Sequence, residues 1–213
     1  MASNGANIEV QKARLFNGRA VLIVCGFGFL LVIPVLLSML LVSSVQFGIW
    51  TVLVPLLTIG AATWLLPFGF GNSYVAKLAR SLPPGDWDEH DGFIVQITFL
   101  PRLRAGLRAL LEDADDIGNV SFTESELIFQ GDSVRFSIPY RQLSNLRIQS
   151  IGWRGLFLYP GLSISVAGIA GVTELRIAER AGWSLPASRN ITRKLNRRLA
   201  QALKGSESAH AGG

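Results

Sequence analysis

The sequence predicts a chain in two parts: a membrane α-helical hairpin, then a mainly-β α+β domain of short antiparallel strands closed by one C-terminal helix. Three observations predict it. Residues 20–76 form a run of 57 without a single Asp, Glu, Lys or Arg, although the whole chain has 20 basic and 15 acidic residues. After Phe93, short β-branched and aromatic runs alternate with Gly, Pro and Asp turn signals. From Pro186 to Lys204, apolar residues recur at helical spacing. Charge-free length argues for a bilayer, regular short strands for a sandwich or small barrel, and the last stripe for a helix with one packed face.

Residues 1–19 read as a cytoplasmic N-terminal segment. Ala20 to Val42 would rise about 35 Å as a helix, enough to cross a ~30 Å hydrocarbon core, and is longer than the ~7–15-residue core of a cleaved signal. Val24 before Cys25 does not fit a lipoprotein signal. Ser43-Ser44-Val45-Gln46 makes a tight turn, and a second span runs over about 47–70. Pro34 and Pro55 predict kinks; Trp50, Trp64, Phe68 and Phe70 fit interfacial anchors. Lys12, Arg14 and Arg19 precede the hairpin and Lys77 and Arg80 follow it, while its turn has no cation. Both termini are therefore expected to be cytoplasmic, in an integral protein of a bacterial inner membrane. Gly26, Gly28, Gly48 and Gly60 would allow close helix contact and leave homo-oligomers open, although neither span holds GxxxG.

Residues 71–92 read as a linker, 93–204 as the folded domain and 205–213 as a disordered tail. Phe93 to Phe99 lacks a helical stripe and predicts a strand. Leu103, Leu107, Leu110 and Leu111 have the spacing of a short amphipathic helix. Strands follow over 119–123, 126–130, 134–138, 146–151, 156–159, 163–167 and 174–178, separated by Gly131-Asp132, Pro139, Gly152, Pro160-Gly161 and Gly168 to Gly171. In the final helix Ile191, Leu195, Leu199, Ala202 and Leu203 share a face; Ser184 or Ser188 can cap its start, and Gly205 lies where a stop is expected.

The order of these elements carries a resemblance. Phe122-Thr123-Glu124-Ser125-Glu126-Leu127-Ile128-Phe129-Gln130-Gly131, continuing to Ile138-Pro139-Tyr140-Arg141-Gln142-Leu143-Ser144-Asn145-Leu146, resembles the first hairpins of GRAM-type and bacterial pleckstrin-homology-like domains. The resemblance implies a PH-like barrel of two orthogonal antiparallel sheets capped by the C-terminal helix. Phosphoinositide-binding members carry basic residues in their first strand, and Phe93 to Phe99 has none, so lipid binding is not implied.

The net charge of +5 and 16 arginines point to anionic partners, and for a chain held at a bilayer anionic lipid headgroups come before nucleic acid, which is not expected. Arg189, Arg193, Lys194, Arg197, Arg198 and Lys204 put six cations and no anion on the final helix. This face is a candidate for lipid or partner contact; a solvated exterior with dipole-matched cations has the same composition. Trp153 and Arg154, among Phe157, Tyr159 and two glycines, are a second contact candidate, or a hairpin packing its aromatics inward.

Catalysis finds little support in the residues. His90 and His210 fall in a linker and a tail, the single cysteine lies in the charge-free run, and no phosphate-binding loop is present. No enzyme, cofactor or metal site is therefore expected. Asp86 to Asp91 fails the EF-hand pattern, with Asp91 where glycine is required. Glu112, Asp113, Asp115 and Asp116 read as an exposed acidic turn. The expected function is a membrane-anchored interaction module that binds a protein partner or an anionic lipid surface. The alternative is an accessory subunit of a transport or secretion assembly, making its contacts through the hairpin.

Overall fold

The computed structural model describes residues 6–11, 15, 19, 22–23, 26, 33, 36–40, 49–64, 71–82, 92–103, 114–150, 160–169 and 171–211. Its elements are β1 (Asn7–Val10), α1 (Trp50–Trp64), α2 (Asn72–Arg80), β2 (Phe93–Leu100), β3 (Asp116–Phe122), β4 (Glu126–Gly131), β5 (Val134–Pro139), β6 (Leu143–Ser150), β7 (Pro160–Val166), β8 (Glu174–Glu179) and α3 (Leu185–Ala211). A 3₁₀ turn, Tyr140–Gln142, joins β5 to β6. The turn over 43–46, the helix proposed from Leu103 to Leu111 apart from Leu103 itself, the acidic stretch from Asp86 to Asp91 and the strand over 156–159 lie outside the described residues.

The membrane hairpin is corrected. No helix among the described residues is long and apolar enough to cross a membrane. Where the second span was expected, the described helix α1 has 15 residues, a rise of about 22 Å against a ~30 Å core, while residues 65–70 and most of 20–42 lie outside the described residues. An absence of charge is a property of composition, whereas a span also needs an unbroken helix of about 20 residues. The integral two-span placement, the inner-membrane location with both termini cytoplasmic, and lipid contact through spans fall with it. Ile49, Val52, Leu56 and Leu57 of this region are exposed.

The paired sheets are corrected too. All eight strands join one antiparallel sheet in the order β1-β5-β4-β3-β2-β8-β7-β6. The ladder is continuous because β2 pairs on one side with β3, Val95 opposite Gly118, and on the other with β8, Ile97 opposite Ile177. One face of this curved sheet holds the core: Val95, Ile97, Phe99, Val120, Leu127, Phe129, Phe136, Ile138, Leu162, Ile164, Leu175 and Ile177 are all buried. The Phe136 ring stacks on Phe129 at 5.1 Å and meets the edge of Phe99 at 5.6 Å. Along β2 the outward residues Gln96 and Thr98 are buried as well, which is why the strand reads as continuous instead of alternating.

Two features let the strands turn. Gly118 and Gly131 face each other across β3 and β4, and a Cβ on Gly118 would stand 2.1 Å from the Gln130 carbonyl oxygen. Tyr140, fully buried, donates its hydroxyl to the Thr123 carbonyl at 2.7 Å and its amide to the Ser125 carbonyl, so the 3₁₀ turn is fastened to the β3–β4 turn. The Thr123 hydroxyl receives the Glu126 amide at 3.1 Å. The Thr of Phe122-Thr123 and the Tyr of Ile138-Pro139-Tyr140 thus act on the same corner.

Three elements depart from the expected layout. β1 arises in the segment read as an N-terminal extension and pairs with β5, Ile8 opposite Phe136. α2 arises in the segment read as linker; its Val75 clusters with Ile117 of β3 and with Ala114 just before that strand. α3 buries Leu195 and Leu199 against the core, as its stripe predicts, but runs on through Gly205 to Ala211.

Candidate functional site

The basic face of α3 is fixed by how the helix starts. Ser184 is its cap: its hydroxyl receives the Ala187 amide at 3.3 Å, and its carbonyl receives the Ser188 amide at 2.8 Å. Just before it, the buried Glu179 carboxylate takes the amides of Ala181 and Gly182 at 3.0 and 2.8 Å. With Ser188, Thr192, Leu195 and Leu199 directed inward, the remaining positions must face out. Arg189, Arg193, Lys194, Arg197, Arg198 and Lys204 are all exposed. Arg189 to Lys204 spans about 22 Å of helix at 1.5 Å per residue.

One of these cations lies beside the described end of the β6–β7 hairpin. Arg189 lines an open pocket of about 190 Å³ with Ile148, Gln149 and Ser150 of β6 and Pro160 of β7. Ser150 and Pro160 are the last register pair of the β6–β7 hairpin. Trp153 and Arg154 fall between them in sequence, outside the described residues. The Thr192 hydroxyl, at 3.4 Å from the Pro160 carbonyl, holds α3 to the same corner.

Two participants carry no signal in the sequence. Trp183, immediately before the cap, is 69% exposed. A tryptophan beside Gly182 reads equally well as core. The second is a polar cluster: Asn72 of α2 donates its amide to the Gly182 carbonyl at 2.6 Å and accepts from Arg180 at 3.0 Å, while Arg180 also donates to Gln96. The start of α2 is thereby fastened to the loop that leads into α3.

The acidic turn is not an exposed turn. Asp115 and Asp116 are buried and serve as acceptors for backbone amides, Asp115 for Phe99 at 2.7 Å and Asp116 for Ser133 and Val134 at 2.7 Å each. Burial pushes the Asp116 carboxyl up to about 6, against the lowering effect of those amides and that of Ile117. Glu112 and Asp113 lie outside the described residues. Among the described residues no three His, Cys, Asp or Glu side chains converge as a metal site would require.

No family model, curated protein or solved structure matches this chain. The resemblance to PH-like domains is therefore corrected on two grounds: no comparison supports it, and the strands form one continuous sheet where that family would give two. The short hairpin pattern that carried it is mostly turn and core chemistry, which unrelated antiparallel sheets share.

Proposed function

We propose that the protein is an interaction module that binds an acidic protein partner through the exposed basic face of α3. The observation that carries the reading is the row of six exposed cations from Arg189 to Lys204, with no acidic residue on the helix before Glu207. Four of the six are arginine, whose planar guanidinium pairs bidentately with carboxylates. Arginine and tryptophan are enriched at protein interfaces whereas lysine is depleted, and Trp183 lies exposed at the same end of the helix as Arg189. The cations act by complementarity and encounter rate, and the indole supplies apolar contact area.

The test uses the full chain as bait, wild type against Arg189→Glu/Arg193→Glu/Arg197→Glu, across a salt series, with phosphatidylserine vesicles in a parallel arm. The expected result is a protein retained by the wild type at low salt and lost in the variant. Reversing acidic residues of that protein to lysine should then restore binding to the variant. Binding to vesicles without any such protein, or a protein retained equally by both baits, would overturn the reading.

A further inference from the structure

The turn between β4 and β5 is held from two sides. From inside, Asp116 Oδ2 accepts the Ser133 and Val134 amides. From outside, the Ser133 carbonyl accepts the Gln11 amide at 2.6 Å and Asp132 Oδ2 accepts the Leu15 amide at 2.9 Å. The same turn therefore anchors both the sheet corner and the chain that continues from β1. β1 itself is only four residues long and mostly exposed, with Val10 at 53% exposure, so its hold on β5 depends heavily on this anchorage.

The inner half of the grip has a defect. Asp116 has no exposed surface, and among the described residues neither its Oδ1 nor the buried Ser133 hydroxyl has a well-aligned hydrogen bond, although the two side chains lie close enough for Ser133 to lower the carboxyl's pKa. Gly131 packs so closely that an added Cβ would fall 2.2 Å from Oδ2, so the carboxylate lies directly against the turn's backbone on that side. Among the described residues no cation offsets this burial; the polar groups around the carboxyl are backbone amides and the nearby Ser133 side chain, and Lys12 and Arg14, between Gln11 and Leu15 in sequence, lie outside the described residues. The other described titratable groups nearby are engaged, exposed or half-buried. Asp115 takes the Phe99 amide and Asp132 the Leu15 amide. Glu9 of β1 and Arg135 of β5 are exposed opposite each other. On α2, Tyr74 is half-buried and Lys77 is exposed.

We propose that the β4–β5 turn and the N-terminal strand form a pH-gated clasp, closed when Asp116 is neutral and loosened when it is ionised, which frees the outer edge of β5. The direction follows from linkage. The closed carboxyl has its pKa raised to about 6 and the hydrated, open one returns towards 3.8, so the closed form binds the proton more tightly. Closure is therefore fully favoured below about 3.8 and is lost progressively as pH rises through 6. Between about pH 5 and about pH 7.5 these two values raise the opening constant on the order of tenfold.

Hydrogen exchange on the full chain, corrected for intrinsic rates, tests this. The protection factors of the Gln11, Ser133 and Val134 amides should fall about tenfold from pH 5 to pH 7.5, while those of the β2–β8 ladder stay constant. Asp116→Asn, which keeps a carbonyl acceptor for the two amides, should abolish the dependence, and Asp132→Asn should keep it. The proposal is overturned if wild-type protection at the three amides is flat with pH, or if the β2–β8 ladder changes in the same ratio. Loss of the dependence in Asp132→Asn, even with Asp116→Asn too poorly folded to measure, would also overturn it.

Discussion

Asn72→Ala tests whether α2 is part of the folded unit. Asn72 is 1% exposed and makes two side-chain hydrogen bonds to the far end of the chain, giving its amide to the Gly182 carbonyl and accepting from Arg180. Truncation strands both partners. A buried carbonyl left unpaired costs about 1–3 kcal/mol, while Arg180, half-buried and still bonded to Gln96, recovers part of its loss from water. The sum is about 2–4 kcal/mol, a large part of the ~5–15 kcal/mol that holds a domain together. Urea unfolding of the full chain, followed by tryptophan fluorescence, measures it. A double-mutant cycle with Arg180→Ala should give a coupling of about 1–2 kcal/mol, because the two side chains share one network. A loss below about 0.5 kcal/mol for Asn72→Ala, or a coupling of zero, would refute the claim that this amide fastens α2 to the loop before α3.

Other expectations concern the sheet corners. Tyr140→Phe removes the hydroxyl that fastens the 3₁₀ turn to Thr123 and should lower stability by about 1 kcal/mol, read as a drop in Tm by calorimetry. Gly118→Ala would press a methyl group onto the backbone of Gln130 and Gly131, neither of which can give way without parting β3 from β4. It should cost about 3 kcal/mol or more in urea unfolding. Gly171→Ala, where φ is +79° and no atom lies within 4 Å, should cost only the ~1 kcal/mol of left-handed backbone strain. Equal losses at the two glycines would contradict the close approach at Gly118.

The candidate site is legible in the sequence where local composition decides it. The cations of α3 follow its helical period, so the placement of Arg189, Arg193, Lys194, Arg197 and Arg198 on an exposed surface follows from spacing alone. That of Trp183 does not, because an isolated tryptophan carries no periodicity. Asp115 and Asp116 mislead for a related reason. A carboxylate pair in sequence looks solvated, and only the arrival of the Phe99, Ser133 and Val134 amides gives it a reason to be buried.

By itself the sequence determined the strands from β2 to β8 and the packed face of α3, because alternation, turn residues and the apolar stripe act within a few residues of one another. The tertiary structure alone decided the rest. β1 is a strand because β5, more than 120 residues away, offers it an unpaired edge, and nothing within Asn7–Val10 announces that. α2 became part of the fold through Asn72 and Val75, whose partners Gly182 and Ile117 also lie far beyond any local period. The single sheet depends on β2 meeting β8, a pairing of strands at opposite ends of the domain. Periodicity is a short-range signal, whereas edge pairing, buried polar networks and the length of an unbroken helix are settled by which distant groups meet.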